Sequence, residues 1–170
     1  MSNPRRAPGE GSSTRAPAPH QLPTRMLCDH RRMTAERAAS RPVELTASAT
    51  EFCTERHLAI LSTLAPVPGA IHSVPVGFTV EDGVLRIITS DGTQKVRNIE
   101  RSGHATVAQV DGIQWITLSG PTRIEREADA VAHAVDLYAA RYRQPRVNPA
   151  RVVIAMTIDK VIGSSSMAAG

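Results

Sequence analysis

Aromatic residues are scarce in this 170-residue chain: one Trp, two Tyr and two Phe, 3% in all. A packed core therefore has to be built from Val, Ile, Leu and Ala. There are only two cysteines, Cys28 and Cys53, too few for a disulfide framework. A reduced, cytoplasmic protein is the resulting expectation. No apolar run approaches the roughly 18–20 residues that a membrane helix needs. The Arg/Pro/Ser-rich N-terminus lacks the apolar segment of a secretory signal. H-E-x-x-H, C-x-x-C, the Walker loop, G-x-S-x-G and G-x-G-x-x-G are all missing. Zinc-protease, dithiol, P-loop, serine-hydrolase and Rossmann chemistry lose their signatures together. Cys28-Asp-His30 offers metal-type ligands without further partners nearby, so no metal is expected.

What is present begins with charge. The formal net charge is +4, which first suggests a nucleic-acid binder. Its distribution argues otherwise. Residues 1–43 hold eight arginines (Arg5, Arg6, Arg15, Arg25, Arg31, Arg32, Arg37, Arg41) against Glu10, Asp29 and Glu36, a surplus of five. The remainder is one charge negative, so no nucleic-acid partner is expected of the folded body. The same stretch holds half of the twelve prolines and almost no apolar periodicity. It reads as a disordered basic tail, because it has too little apolar surface to offset chain ordering. Residues 44–164 read as one domain and 165–170 as a short tail.

Ser48-Ala-Thr-Glu51 fits a capping box opening a short helix. His57–Leu64 reads as a buried strand and Ala65–Gly69 as a turn. Ala70–Val80 follows as a second strand, where Pro75 implies an edge or bulge. Asp82-Gly83 is a hairpin signal before a third strand, Val84–Thr89. A short helix over Lys95–Ser102 is stopped by Gly103. Strands follow at His104–Val110, Gln114–Ser119 and Thr122–Arg126, the last two separated by a bend at Gly120-Pro121. One long helix, Glu127–Arg143, carries Val131, Val135, Tyr138 and Tyr142 on a stripe. Arg151–Ile158 alternates into a final strand, which Val161-Ile162 extends. Six or seven antiparallel strands with one long and two short helices describe a mainly β barrel.

Three segments carry candidate chemistry. In Thr89–Asn98 a strand runs through a polar loop into a helix start, where free amides favour an anion. Ser90, Thr93 and Gln94 add neutral donors, Lys95 a point charge, and Arg97 or Arg101 a fork; Asn98, one turn on, shares the face of Lys95. A phosphorylated ligand and a merely solvated loop are equally served. Arg141–Arg151 is arginine-rich, either as surface decoration or as a site for a carboxylate. Trp115, on a hairpin shoulder, is either core or a stacking surface for a planar ring.

The stretches "ERHLAILSTL", "HSVPVGFT", "ITSDGTQKVRNIERSG", "QVDGIQWITLSG" and "RYRQPRVNPARVVI" together resemble the flavin/deazaflavin oxidoreductase superfamily. Its members share the split β-barrel of pyridoxamine-phosphate oxidases, and the likeness is greatest to the F420-dependent biliverdin reductase group. It spans roughly Leu45 to Ser164. The resemblance implies a homodimer with cofactor sites at the interface. Coenzyme F420 is the implied cofactor, with FMN as the alternative. The ring system would lie near His72, Ser73, Val74, Pro75 and Val76, and the phosphate near Thr89, Ser90, Gln94, Lys95 and Asn98. Gln109 and Trp115 would approach from the same or the partner subunit. Arg141, Arg143 and Arg146 would steady the polyglutamate tail or a carboxylate substrate. The implied reaction is hydride transfer from reduced deazaflavin to a linear tetrapyrrole, biliverdin to bilirubin. An FMN oxidoreductase and a non-catalytic cofactor or tetrapyrrole carrier are the alternatives. A site without nucleophile, metal or acid–base dyad fits, since the cofactor brings the difficult chemistry.

Overall fold

In a computed structural model of the chain, which describes residues 43–167, eight strands form one antiparallel sheet flanked by three helices. In chain order these are α1 (Ala47–Thr54), β1 (Ala59–Leu64), β2 (Ile71–Val76), β3 (Thr79–Glu81), β4 (Val84–Ser90), α2 (Gln94–Ser102), β5 (His104–Asp111), β6 (Gln114–Glu125), α3 (Ala128–Arg141), β7 (Arg151–Thr157) and β8 (Lys160–Gly163). The sheet runs β2-β1-β5-β6-β7-β4-β3, with β8 paired to β6. The tail expected at 1–43 and the Cys28–His30 cluster lie almost wholly outside the described residues; only Val43 is included.

The mainly β class, the antiparallel pairing and the one long and two short helices match the sequence reading. The strand count and the closure do not. There are eight strands, and among the described residues no ladder joins β2 to β3, so the sheet is open. The single strand expected over Ala70–Val80 is two. It breaks at Gly77-Phe78, and the chain passes from one end of the sheet to the other. Pro75 accordingly sits on an edge, where its missing donor is no loss: β2 pairs only with β1. The two strands expected on either side of Gly120-Pro121 are instead one long β6. Its first half pairs with β5 and β8, its second with β7.

Local signals account for much of this. Asp82 and Gly83 both take positive φ (52° and 72°), the backbone a tight hairpin between β3 and β4 requires. Gly103 ends α2 in the left-handed region, its N–H donating to Ile99 O at 2.7 Å. The first helix is capped by Thr46 rather than Ser48: Thr46 Oγ1 accepts from Ala49 N at 3.1 Å. Ser48 falls inside the helix because Thr46 already has the extended backbone a cap needs.

The core gathers Leu61, Phe78, Leu85, Ile87, Ile99, Ile116, Leu118, Ile154 and Met156, all nearly inaccessible. Residues Val152–Met156 are buried without alternation, because β7 lies between β6 and β4 with α3 over one face. The stripe expected on α3 is only half-buried; Ala134 is the helix's fully buried residue. No helix among the described residues is long and apolar enough to cross a membrane.

Candidate functional site

Thr89 and Ser90 close β4, Asp91-Gly92 turns the chain, and α2 starts at Gln94. Gly92 turns at φ 67°, a conformation glycine enters without a Cβ penalty. Thr93 Oγ1 donates to Ser90 O at 3.1 Å, which tightens the turn. That hydroxyl makes no cap, so the leading amides of α2 and the positive end of its dipole stay available to an anion.

Thr89, Ser90 and Lys95 line a cavity of about 330 Å³. Pro75, Val76 and Gly77 form one wall, and Tyr138 of α3 closes against it. A Cβ on Gly77 would stand 2.8 Å from the Tyr138 ring, so glycine is what lets that phenol approach. Asn148, from the loop entering β7, and Arg151, the strand's first residue, complete the polar side. Asn148 Nδ2 donates to Ser90 Oγ at 2.8 Å, while its Oδ1 accepts from Ala150 N at 3.0 Å. A serine oxygen that already accepts is left with its proton to give, so Ser90 is set up as a donor into the cavity.

The electrostatics follow from the lining. Lys95 and Arg151 face the cavity, and among the described residues no carboxylate does. Among the described residues Lys95 makes no ion pair. Burial holds its ammonium below the ordinary lysine range. A desolvated cation beside two hydroxyls and a helix start suits a phosphate. A second cavity, about 550 Å³, lies between Val43–Leu45, α1 and the β3–β4 hairpin. It is larger but is lined by Glu44, Glu81 and Asp82, the wrong charge for an anionic ligand.

The structure thus brings together Pro75, Val76, Thr89, Ser90 and Lys95 among the residues singled out from sequence. Others are placed elsewhere. Asn98 is fully buried: its Nδ2 donates to Thr63 Oγ1 at 3.0 Å and its Oδ1 accepts from Gln94 Nε2 at 2.8 Å. Asn98 thus ties α2 to β1, and Gln94 braces it from within the helix. His72 and Val74 point inward along β2, and Ser73 points outward to Ser62 Oγ at 2.9 Å. Gln109 is buried and donates to Phe52 O at 2.7 Å. Trp115, 39% exposed, stands opposite Val110 on the outer face of the sheet. Arg143 and Arg146 are exposed. Gly77, Tyr138, Asn148 and Arg151 line the cavity without having been singled out as site residues. The arginine-rich segment was the available signal for the last two.

Arg141 has its guanidinium among carbonyls. It donates to Glu55 O (3.0 and 2.6 Å), to Gln109 Oε1 (3.1 Å) and to Phe78 O, and lies 4.2 Å over the Phe78 ring. Tyr142 adds a hydroxyl bond to His57 O at 2.7 Å. The end of α3 is thereby tied to α1, to the chain entering β1, and to β3. Arg141→Ala is expected to cost about 2 kcal/mol of stability, the range for losing charged donors at a partly exposed group. A lowered urea midpoint at unchanged slope checks this. An unchanged midpoint with weakened ligand binding would return Arg141 to a ligand role.

A protein-family model described as pyridoxamine 5'-phosphate oxidase matches residues 45–164. The chain is 45% identical over 125 residues to an F420H(2)-dependent biliverdin reductase of Mycobacterium tuberculosis, covering 72% of this chain and 90% of that one. Its fold is similar to that of a conserved hypothetical protein from M. tuberculosis (TM-score 0.63, 20% identity, 74% of this chain and 86% of the other). It is similar also to a structure described as an F420 reductase (TM-score 0.59, 19% identity, 69% and 98%).

Proposed function

Since the chain belongs to the pyridoxamine 5'-phosphate oxidase family, we propose that it is an F420-dependent reductase that delivers hydride to a linear tetrapyrrole, biliverdin to bilirubin. The observation carrying this reading is the carboxylate-free cavity in which half-buried Lys95 meets Ser90, Thr89 and Arg151. The reductase of M. tuberculosis, 45% identical, supports the choice of cofactor and acceptor.

Coenzyme F420, when bound, supplies the hydride chemistry. The chain's part is to hold and to shield. Lys95, Ser90 and the first amides of α2 grip the phosphate. Pro75, Val76 and Gly77 offer an apolar edge for a planar ring, with Tyr138 limiting the space behind it. Around that grip Ser73 ties β2 to β1, Asn98, braced by Gln94, ties α2 to β1, and Gln109 ties β5 to α1, while His72 and Val74 face inward along β2. Arg143 and Arg146, exposed beside the cavity loop, are placed in this proposal near carboxylates of the cofactor tail or the substrate. Arg141 is spent in the fold.

The proposal includes a homodimer. The outer face of the sheet exposes Ile60, Pro75, Val110, Trp115 and Ile162, with Ile60 at 43%, Val110 at 65% and Ile162 at 46%. Register places Pro75, Ile60, Ala108, Thr117 and Ile162 in one row across five strands. Such a stripe on a sheet is what a second copy would cover, bringing Trp115 towards the neighbouring site. Ile60→Arg is expected to give a monomer by analytical ultracentrifugation; an unchanged sedimentation coefficient would refute this face as the contact. A cytoplasmic setting is also part of the proposal, in keeping with the free, buried Cys53.

The decisive experiment titrates the purified protein with F420 and with FMN side by side, then follows F420H2 oxidation on adding biliverdin. Tight F420 binding and biliverdin-dependent oxidation are expected. Preference for FMN would move the protein to a flavin reaction. F420 binding without turnover would make it a carrier.

A further inference from the structure

Asp91 is out of place on electrostatic grounds. It follows Ser90 directly and precedes Lys95 by four residues, so the anion-holding turn carries a carboxylate of its own. Yet Asp91 does not line the cavity. Its carboxylate is held by Arg126, at the junction of β6 and α3. Arg126 Nε donates to Asp91 Oδ2 at 3.1 Å, and Nη2 donates to Asp91 Oδ1 at 2.9 Å. The same Nη2 reaches Glu100 Oε1 on α2 at 2.6 Å. Three elements therefore meet on one guanidinium: the β4–α2 turn, the body of α2, and the β6–α3 junction. Asp91 is pinned from other sides too. Its Oδ1 accepts from Gly92 N at 2.8 Å, its N–H donates to Ala150 O at 2.8 Å, and Arg97 donates to Gly92 O. Arg126 and Gly92 together hold the Asp91 carboxyl below the usual aspartate range, so it is charged at neutral pH.

We propose that Arg126 is a positioning residue for the anion site: its planar fork neutralises Asp91 and holds that carboxylate out of the cavity, so that Ser90, the α2 amides and Lys95 meet the cofactor phosphate without a competing negative charge. A fork is suited to this because two parallel bonds fix direction as well as charge. Removing Arg126 leaves Asp91 without its ion-pair partner next to Ser90 and unties the turn from the β6–α3 junction. Removing the Asp91 charge as well takes away the repulsion that Arg126 exists to cancel. The inference rests on the reading of the cavity as the phosphate site.

The test compares wild type, Arg126→Ala and the double variant Arg126→Ala/Asp91→Asn, each titrated with F420 and with FMN at low and high salt, with thermal midpoints recorded. Arg126→Ala is expected to weaken cofactor binding roughly fivefold at low salt, the scale of one solvent-accessible charge pair, and less at high salt. The double variant is expected to return to within about twofold of wild type, since Asp91→Asn removes the charge beside Ser90 that Arg126 had paired, while the Arg126–Glu100 contact is lost in both variants. The same ranking with FMN in place of F420 keeps this inference while overturning the choice of cofactor. Equal affinity in wild type and Arg126→Ala, or a double variant no better than the single one, overturns this inference alone. Binding of neither cofactor by wild type overturns the phosphate-site assignment, and this inference with it.

Discussion

Lys95→Ala is expected to weaken F420 binding by about 1–3 kcal/mol, on the order of five- to 150-fold, the usual worth of a hydrogen bond to a charged group. Lys95 is half-buried and faces two hydroxyls, and no carboxylate among the described residues lies on the cavity wall to share its charge. Its whole charge is thus available to a phosphate. Lys95→Arg should recover part of the loss, since it keeps the charge but changes the donor geometry. A pH series gives a second readout. Burial lowers the Lys95 pKa from 10.5, so its charge begins to be lost at a lower pH than for a free lysine. Cofactor affinity should be full below that lowered value and fall as pH rises through it. Folding shows the opposite sign. The unfolded chain holds this proton more tightly, so the contribution of Lys95 to stability rises with pH over the same window. Fluorescence titration of F420 at several pH values checks both variants. Unchanged affinity in Lys95→Ala would reject the phosphate grip.

Gly120→Ala is expected to be the most damaging single change to the fold, at about 3 kcal/mol or more. Gly120 is buried at the bend of β6, where the strand passes from β5 and β8 to β7. A Cβ there would lie 1.8 Å from Thr157 O, 3.0 Å from Thr157 C and 3.2 Å from Asp159 N. These are backbone atoms and cannot rotate aside. Asp159 N–H donates to Ser119 O at 3.0 Å at the same crossing, so the two chains cannot part without giving up a ladder bond. The melting midpoint should fall by about 10 °C or more for a domain of this size. A midpoint within a few degrees of wild type would mean that the crossing is looser than described.

The legible features were those written in neighbouring residues. Asp82-Gly83 marks a hairpin because both residues supply positive-φ backbone on the spot. Gly103 stops α2 for the same reason. The strand–turn–helix over Thr89–Asn98 was also readable, since its polar turn separates an apolar strand from an amphipathic helix. The break at Gly77-Phe78 was not. Apolar alternation continues through it, and the contacts that mark the break come from α3 and its end: Tyr138 packs against Gly77, Phe78 N–H donates to the Tyr142 hydroxyl at 3.1 Å, and Arg141 donates to Phe78 O. Asn98 is another case. From spacing it shares a face with Lys95, yet it points inward to Thr63, a partner 35 residues away.

By sequence alone, composition settled that the core is aliphatic, alternation settled antiparallel strands, and the Ser90–Lys95 turn settled where a strand hands over to a helix start. These depend on residues a few positions apart, whose geometry the backbone fixes locally. Folding in three dimensions decided which charges are free. Arg141, 86 residues from Glu55, is consumed by carbonyls, and Asp91 is neutralised by Arg126, 35 residues away. Lys95 alone of these three faces the cavity, and among the described residues it has no ion-pair partner. A charge is available only when nothing nearby in space has claimed it, and distance along the chain says nothing about that.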